Sequence, residues 1–184
     1  MLPGKRVYAF FAALFTGIAL LSGQAAAAAS DPTAARVVVY DASAAAEFVD
    51  AVHQGAAIWN ESVSNVQLRP AAAGERANVR VIADDGWPRA ITTSLGNGTV
   101  YIGREAVDEG YDTVRISAHE LGHILGLPDV KPGPCSSLMS GASTGTACTN
   151  PYPDSAEKAK VEAAFGGGAA ALPGQAGQRL VFRD

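Results

Sequence analysis

The segment from His119 to Asp129 constrains the fold of this chain more than any other part of the sequence. It reads His-Glu-Leu-Gly-His-Ile-Leu-Gly-Leu-Pro-Asp. Because residues four apart in a helix lie on one face, His119 and His123 can direct ring nitrogens at a single metal ion. Gly126 suits the left-handed position that ends a helix, and Pro128 prevents the helix from resuming. The turn can therefore bring Asp129 back to the same ion.

The ligands available in the chain favour a catalytic zinc site over a structural one. The chain holds three histidines, and His53 lies far upstream in a separate amphipathic segment. The ligands His119, His123 and Asp129 leave a fourth tetrahedral position open, whereas structural zinc sites are usually closed by four protein ligands. Glu120 stands beside them as a general base would. Taken singly these would be ordinary polar positions, but the whole constellation predicts zinc-assisted hydrolysis of peptide bonds.

The extended pattern H-E-x-x-H-x-x-G-x-x-D is followed by Ser137-Leu138-Met139-Ser140, and together they resemble the metzincin metalloproteases with their methionine turn. Most metzincins have histidine at the last ligand position. Aspartate there, just before Gly133-Pro134-Cys135, is similar to the snapalysins, which are small secreted neutral proteases of bacteria. The likeness runs from about Val37 to Phe165 and includes Asn150-Pro151-Tyr152-Pro153.

This resemblance implies a role for each matching residue. It implies zinc ligands at His119, His123 and Asp129, the catalytic base at Glu120 and the turn methionine at Met139. It also implies a preference for an aromatic residue just after the cleaved bond.

Two further positions are compared with the family pattern. The family binds calcium just before the active helix, where Asp112 fits one ligand position but Val114 replaces an expected threonine. The family has a tyrosine two residues after the aspartate ligand, and here that position is Lys131. Lys131 or Tyr152 could therefore donate a hydrogen bond to the oxyanion, although a lone lysine more often points into water.

Hydrophobic periodicity outlines the elements of the domain. Short apolar or alternating runs predict strands at Arg36–Tyr40, Asn65–Leu68, Asn78–Ile82, Ile91–Leu95 and Thr99–Ile102, with a hairpin turn at Asn97-Gly98. Helical spacing predicts helices over Ser43–Glu61, Asp112–Leu125 and Ser155–Phe165, the first and last with serine N-caps. The order matches the metalloprotease group, so we expect a metzincin-like α+β single domain. Its small twisted mixed sheet would pack on an N-terminal helix and the zinc-binding active helix, with a C-terminal helix after the methionine turn.

The start of the chain predicts export. Lys5-Arg6, an apolar run from Val7 to Leu21 and an alanine run ending at Ala29 are typical of a cleaved signal peptide. About 15 apolar residues are short for a membrane span, so a retained anchor is the lesser alternative. We therefore expect residues 1–29 as signal peptide, 30–36 as a short pro-segment or linker, 37–166 as the zinc metalloprotease domain and 167–184 as a flexible C-terminal tail.

The net charge and the two cysteines indicate which partners and which covalent bond to expect. Without the two basic leader residues the chain carries 12 basic and 18 acidic residues, which argues against nucleic acid or anionic lipid as a partner. We expect a secreted monomer that acts on proteins or peptides, with no membrane contact after signal cleavage. In an oxidising compartment Cys135 and Cys148 are expected to form a disulfide around the methionine turn; two buried free thiols are the alternative.

The sequence thus predicts a secreted zinc endopeptidase with one catalytic zinc ion. An extended substrate would add to the open edge of the sheet near Arg89 to Ser94 through backbone hydrogen bonds. Two alternatives stay open, namely a zinc-dependent amidase of cell-wall material and a zinc-binding module without turnover. Glu120 argues against the second alternative, because a glutamate that is not a ligand has no structural need to be there.

Overall fold

The structure is a computed structural model, and it describes residues 34–167 and 180–183. These residues are built around a six-stranded mixed sheet. The strands are β1 Arg36–Ala44, β2 Val66–Pro70, β3 Val79–Asp84, β4 Arg89–Ser94, β5 Asn97–Gly103 and β6 Leu180–Arg183. The helices are α1 Val49–Ser62, α2 Arg104–Asp108, α3 Thr113–Ile124 and α4 Ser155–Phe165. Short 3-10 segments cover Ala46–Phe48 and Leu138–Thr144.

The strand order is β2-β1-β3-β5-β4-β6. Strands β2, β1, β3 and β5 are parallel to one another, and β4 runs antiparallel to both of its neighbours, β5 and β6. Parallel strands need crossover connections, and α1 supplies the one between β1 and β2. This arrangement confirms the predicted α+β class with a mixed sheet.

The core joins the sheet to α1 and α3. Trp59 of α1 is completely buried and donates its indole N–H to the backbone carbonyl of Ala118 in α3 at 2.8 Å. Leu121 and Ile124 of α3 are buried in the same apolar cluster, together with Val100 of β5. Helix α3 is therefore held on one side by α1 and on another by the sheet. This packing fixes the orientation of the helix face that carries His119 and His123.

Three local expectations are wrong in detail. Ser43 lies within β1, and α1 begins only at Val49 after a 3-10 turn, so Ser43 is not its N-cap. The tight turn between β4 and β5 is at Leu95-Gly96, where Gly96 has φ of +78°, while Asn97-Gly98 starts β5. The N-cap of α4 is Asp154 and not Ser155, because the carboxylate of Asp154 accepts the backbone N–H groups of Ala156 and Glu157.

The predicted flexible tail also differs from the structure. Leu180–Arg183 form β6, which is hydrogen-bonded along β4, because the outer edge of β4 offers backbone groups that need partners. The predicted signal peptide at residues 1–29, most of the predicted linker and residues 168–179 lie outside the described residues. Among the residues that are described, no helix is both long and apolar enough to cross a membrane.

Candidate active site

His119, His123 and Asp129 come together at the C-terminal half of α3 and the turn that follows it. The two Nε2 atoms lie 3.1 Å apart. Asp129 Oδ1 lies 3.3 Å from Nε2 of His119 and 3.4 Å from Nε2 of His123. Gly126 makes this possible, because its φ of +95° reverses the chain just after the helix. The three donors predicted from the sequence therefore form one compact triangle.

Backbone carbonyls fix the orientation of both imidazole rings. Nδ1 of His119 lies 3.0 Å from the carbonyl oxygen of Leu138, and Nδ1 of His123 lies 2.8 Å from that of Leu127. A carbonyl oxygen can only accept, so each Nδ1 must be the protonated donor. In a neutral imidazole the other nitrogen then carries a lone pair, and both Nε2 lone pairs point at the same place.

A metal ion of the size of zinc fits this donor set. Two nitrogen lone pairs and a carboxylate oxygen converge within 3.4 Å of one another, an arrangement that is repulsive without a cation between them. Metal–ligand bonds of about 2.0–2.1 Å at tetrahedral angles separate the ligand atoms by about 3.3 Å. The donated Nδ1 protons are the supporting contacts that metal-binding histidines usually have.

The ionisation of these groups also suits a metal. Burial alone would raise the pKa of Asp129, but the close contacts of its carboxylate with the rings of His119 and His123 outweigh it and hold that pKa well below its usual range. Burial is the main cause that lowers the pKa of His123, and the neighbouring His119 lowers it further. Both directions favour the deprotonated forms, a carboxylate and a neutral imidazole, which are the forms that coordinate a metal.

Glu120 follows His119 in α3 and is completely buried. The pKa of Arg89 in β4 is raised mainly by the hydrogen bond of Arg89 to Asp84, and the negative charge of Glu120 adds slightly to this rise. A completely buried carboxylate is costly unless its charge is paired, hydrogen-bonded or placed next to a metal ion.

The remaining predicted site residues lie in different surroundings. Lys131 Nζ lies 3.4 Å from Asp129 Oδ1, and the lysine side chain is 27% exposed, so it turns toward the site and away from open solvent. Tyr152 is 49% exposed. His53 is exposed on α1 and hydrogen-bonds through Nδ1 to the hydroxyl of Tyr40 at 2.7 Å, away from the metal ligands.

The predicted calcium site is not supported. Asp112 is the N-cap of α3, and its Oδ1 accepts the backbone N–H of Arg115 at 2.7 Å. This structural use explains an aspartate just before the active helix without a second metal. In the described ranges the one group of acidic and histidine side chains close enough to hold an ion consists of His119, His123 and Asp129.

Met139 lies directly beneath the active helix. It is completely buried, and a Cβ placed on Gly122 of α3 would come within 2.7 Å of its sulfur. Only glycine at position 122 lets the turn approach the helix so closely. The preceding residue, Leu138, supplies the carbonyl that orients His119, so the turn sets the direction of one metal ligand.

Glu157 holds this turn, and the sequence analysis missed it. Its side chain is 3% exposed and accepts hydrogen bonds from Ser137 Oγ at 2.6 Å and from the backbone amides of Leu138 and Met139 at 3.1 and 2.9 Å. It also accepts the amide of Asp154 at 2.7 Å, which completes a capping box at the start of α4. The spacing of Asp154 and Glu157 is a readable capping-box signal, but it does not reveal the contacts with the turn.

Arg115 braces the turn from the other side and was also missed. It lies in α3, is 5% exposed, and donates to the carbonyl oxygens of Ser137 and Leu138 at 3.0 and 3.4 Å. It donates further to Ser140 Oγ at 2.9 Å and to the carbonyl of Asn150. The buried side chains of Arg115 and Glu157 therefore both hold the turn, through hydrogen bonds to its backbone and to its serine hydroxyls.

The predicted disulfide between Cys135 and Cys148 is confirmed, with Cα atoms 5.6 Å apart. It encloses the methionine turn in a loop with a sequence separation of 13 residues. The bond adds a covalent restraint to the hydrogen bonds of Glu157 and Arg115.

Comparison with known proteins agrees with this geometry. The model of the Streptomyces extracellular neutral proteinase (M7) family matches residues 35–168. The chain belongs to this family. An extracellular small neutral protease of Streptomyces sp. (strain C5) is 42% identical over 163 residues, which cover 89% of this chain and 69% of that protein. The protease of the same description from Streptomyces lividans is 40% identical over 153 residues, covering 83% of this chain and 65% of the relative.

A third relative, the extracellular small neutral protease of Streptomyces caespitosus, is 43% identical over 133 residues. These residues cover 71% of this chain and 98% of the relative. The chain is therefore a secreted neutral metalloprotease of the M7 family, with the His119, His123 and Asp129 group as its metal-binding site. The family match ends at residue 168, so β6 lies beyond it.

Proposed function

We propose that this metalloprotease is a zinc endopeptidase that cuts peptide bonds of extracellular proteins, with Glu120 as its general base. The observation that carries the proposal is the triangle of His119 Nε2, His123 Nε2 and Asp129 Oδ1, which lie 3.1–3.4 Å apart beside the buried Glu120. Two imidazole nitrogens and one carboxylate oxygen are a donor set typical of catalytic zinc. A zinc ion held by these three residues would supply a water molecule of near-neutral pKa and a positive charge that polarises the scissile carbonyl.

Glu120 moves the proton. Its carboxylate takes the proton of the attacking water and then delivers it to the nitrogen of the leaving amine. Its position next to His119 on the same helix supports this role, because a rigid helix keeps the carboxylate beside the metal ligands through both transfers. Glu120 is not needed as a ligand, since the two histidines and Asp129 already supply three donors.

The substrate lies in extended form along β4. The expected open edge of β4 is covered by β6 in the structure, so the peptide would take the place of β6 and be held there by its backbone through antiparallel pairing. A small pocket beside His119 is lined by apolar side chains that include Trp87, Tyr111 and Ile116. An aromatic residue just after the cleaved bond would gain burial against such a surface, which supports the preference implied by the family.

Lys131 is the better candidate for the group that assists the metal at the oxyanion. Its ammonium lies 3.4 Å from Asp129 Oδ1, whereas Tyr152 is half exposed. A positive charge beside the ligands stabilises negative charge that develops on the substrate carbonyl. If Tyr152 is the donor instead, Tyr152→Phe lowers kcat strongly and Lys131→Ala leaves it unchanged.

Casein digestion tests the proposal against its alternatives. A zinc endopeptidase digests casein, loses that activity on treatment with a chelator and regains it when zinc is restored. A module without turnover digests nothing, and a cell-wall amidase leaves casein intact but releases amide-linked fragments from cell-wall material. Failure of the zinc-loaded protein to digest casein would contradict the endopeptidase assignment.

A further inference from the structure

Strand β6, Leu180–Arg183, lies on the edge of the sheet that we assign to the substrate. It pairs antiparallel with β4 in a continuous register, from Thr92 opposite Leu180 to Arg89 opposite Arg183. The other edge of β4 is taken by β5, so β6 covers the edge that a peptide would use. A peptide held by β4 in the antiparallel direction would run as β6 does.

Phe182 of β6 contacts one of the metal ligands, His123. Its ring is stacked on the imidazole of His123, with centroids 4.2 Å apart and planes 8° from parallel. Phe182 is opposite Ala90 in the register, so the same residue is held by the strand and by the site. Leu180 and Phe182 also close a small cavity against His123 and Thr92. The neighbouring Val181 is 49% exposed, as the alternation of a strand requires.

The strand is an addition to the family domain. The family match ends at residue 168, and the chain between it and β6 is rich in glycine, alanine and glutamine. Because β6 belongs to the same chain, its docking is intramolecular, with an effective concentration on the order of millimolar. Even a weak contact of this kind competes with a dilute substrate.

We infer that Leu180–Arg183 is an internal substrate mimic that competes with peptide substrates for the β4 edge and the face of His123. This inference rests on the proposed endopeptidase function. Substrate binds only to the fraction of molecules in which β6 is released, so the tail raises KM and leaves kcat unchanged. The contact therefore lowers the rate of cleavage when substrate is scarce, and it leaves the rate at saturating substrate unchanged.

The test compares Phe182→Ala with Val181→Ala in the full, zinc-loaded chain. Phe182→Ala removes the ring from His123, whereas the matched control removes a side chain from the exposed face of the same strand. With a fluorogenic peptide substrate, Phe182→Ala is expected to lower KM by about threefold or more at unchanged kcat, and Val181→Ala to leave both constants unchanged. Added peptide Arg-Leu-Val-Phe-Arg-Asp should then inhibit Phe182→Ala competitively. An unchanged KM in Phe182→Ala overturns the inference.

Amide hydrogen exchange separates this inference from the proposed function. In zinc-loaded Glu120→Gln backgrounds, Phe182→Ala is expected to speed exchange along β4 relative to Val181→Ala, because released β6 no longer protects that edge. Equal exchange in the two variants overturns the inference whatever the activity. A different result is also informative: Phe182→Ala loses protection along β4, but the zinc-loaded parent protein cleaves no peptide. That result overturns the endopeptidase function and shows that β6 docks without inhibiting.

Discussion

Removal of the Glu157 carboxylate is expected to destabilise the protein far more than removal of an ordinary acidic side chain from the same helix. In Glu157→Ala the amides of Leu138 and Met139 lose a buried acceptor that now lies 3.1 and 2.9 Å away, and Ser137 Oγ loses its partner at 2.6 Å. Each buried donor left unsatisfied costs about 1–3 kcal/mol. The two amides set most of the loss, because the hydroxyl can rotate to another acceptor. We therefore expect about 3–5 kcal/mol in the free energy of unfolding.

Glu162→Ala is the matched control for this prediction. Glu162 also lies on α4 and accepts two backbone amides, those of Ser64 and Asn65, at 2.5 and 2.9 Å. Those amides are exposed or half-buried, so water can replace the carboxylate, and the expected loss is about 1 kcal/mol. For a domain of this size 1 kcal/mol shifts the melting temperature by about 3–5 °C.

Urea and thermal unfolding of both zinc-loaded variants measure the difference. Glu157→Ala is expected to melt about 10 °C or more below the parent protein, and Glu162→Ala about 3–5 °C below it. Equal losses in the two variants, or a loss below about 1 kcal/mol in Glu157→Ala, would refute the argument that Glu157 supports the turn beneath the metal ligands.

Three further predictions concern the site and its frame. Asp129→Ala is expected to weaken zinc binding strongly and abolish proteolysis, while the control His53→Ala leaves both nearly unchanged; metal analysis after dialysis checks this, and loss of zinc in His53→Ala would contradict it. Replacing Cys135 and Cys148 by serine should cost about 2–4 kcal/mol of unfolding free energy without loss of zinc, and an unchanged melting temperature would speak against it. Lys131→Ala should lower kcat through a loss of about 1–3 kcal/mol of transition-state stabilisation, and Lys131→Tyr should recover part of that loss. Steady-state kinetics measure both variants, and an unchanged kcat in Lys131→Ala would contradict the prediction.

The metal-binding helix could be predicted from sequence because its signal is local. The spacing of His119 and His123 fixes their common face, and Gly126 has the positive φ that the reversal to Asp129 needs. The bounds of α3, with Asp112 as N-cap and Leu125 as C-cap, match the predicted helix for the same reason. Local chemistry leaves little freedom at these positions.

The residues that were missed act over long sequence separations. Glu157 reaches the turn from a different helix, and Arg115 reaches it from 22 to 25 residues away. Neither residue type reveals its partners, because a glutamate in a first helical turn and an arginine on a helix are common in solvent as well. The docking of Leu180–Arg183 could not be predicted either, since four residues carry no sign of the edge they will pair with.

Zinc content and casein turnover, measured together for the parent protein and for Glu120→Gln, test the central claim most directly. Native mass spectrometry should find about one zinc per chain in both proteins, because Glu120 is a base and His119, His123 and Asp129 are the ligands. The rate of casein digestion should fall about 10²-fold or more in the variant. A Glu120→Gln protein that has lost its zinc, or one that digests casein at nearly the parent rate, would contradict the account.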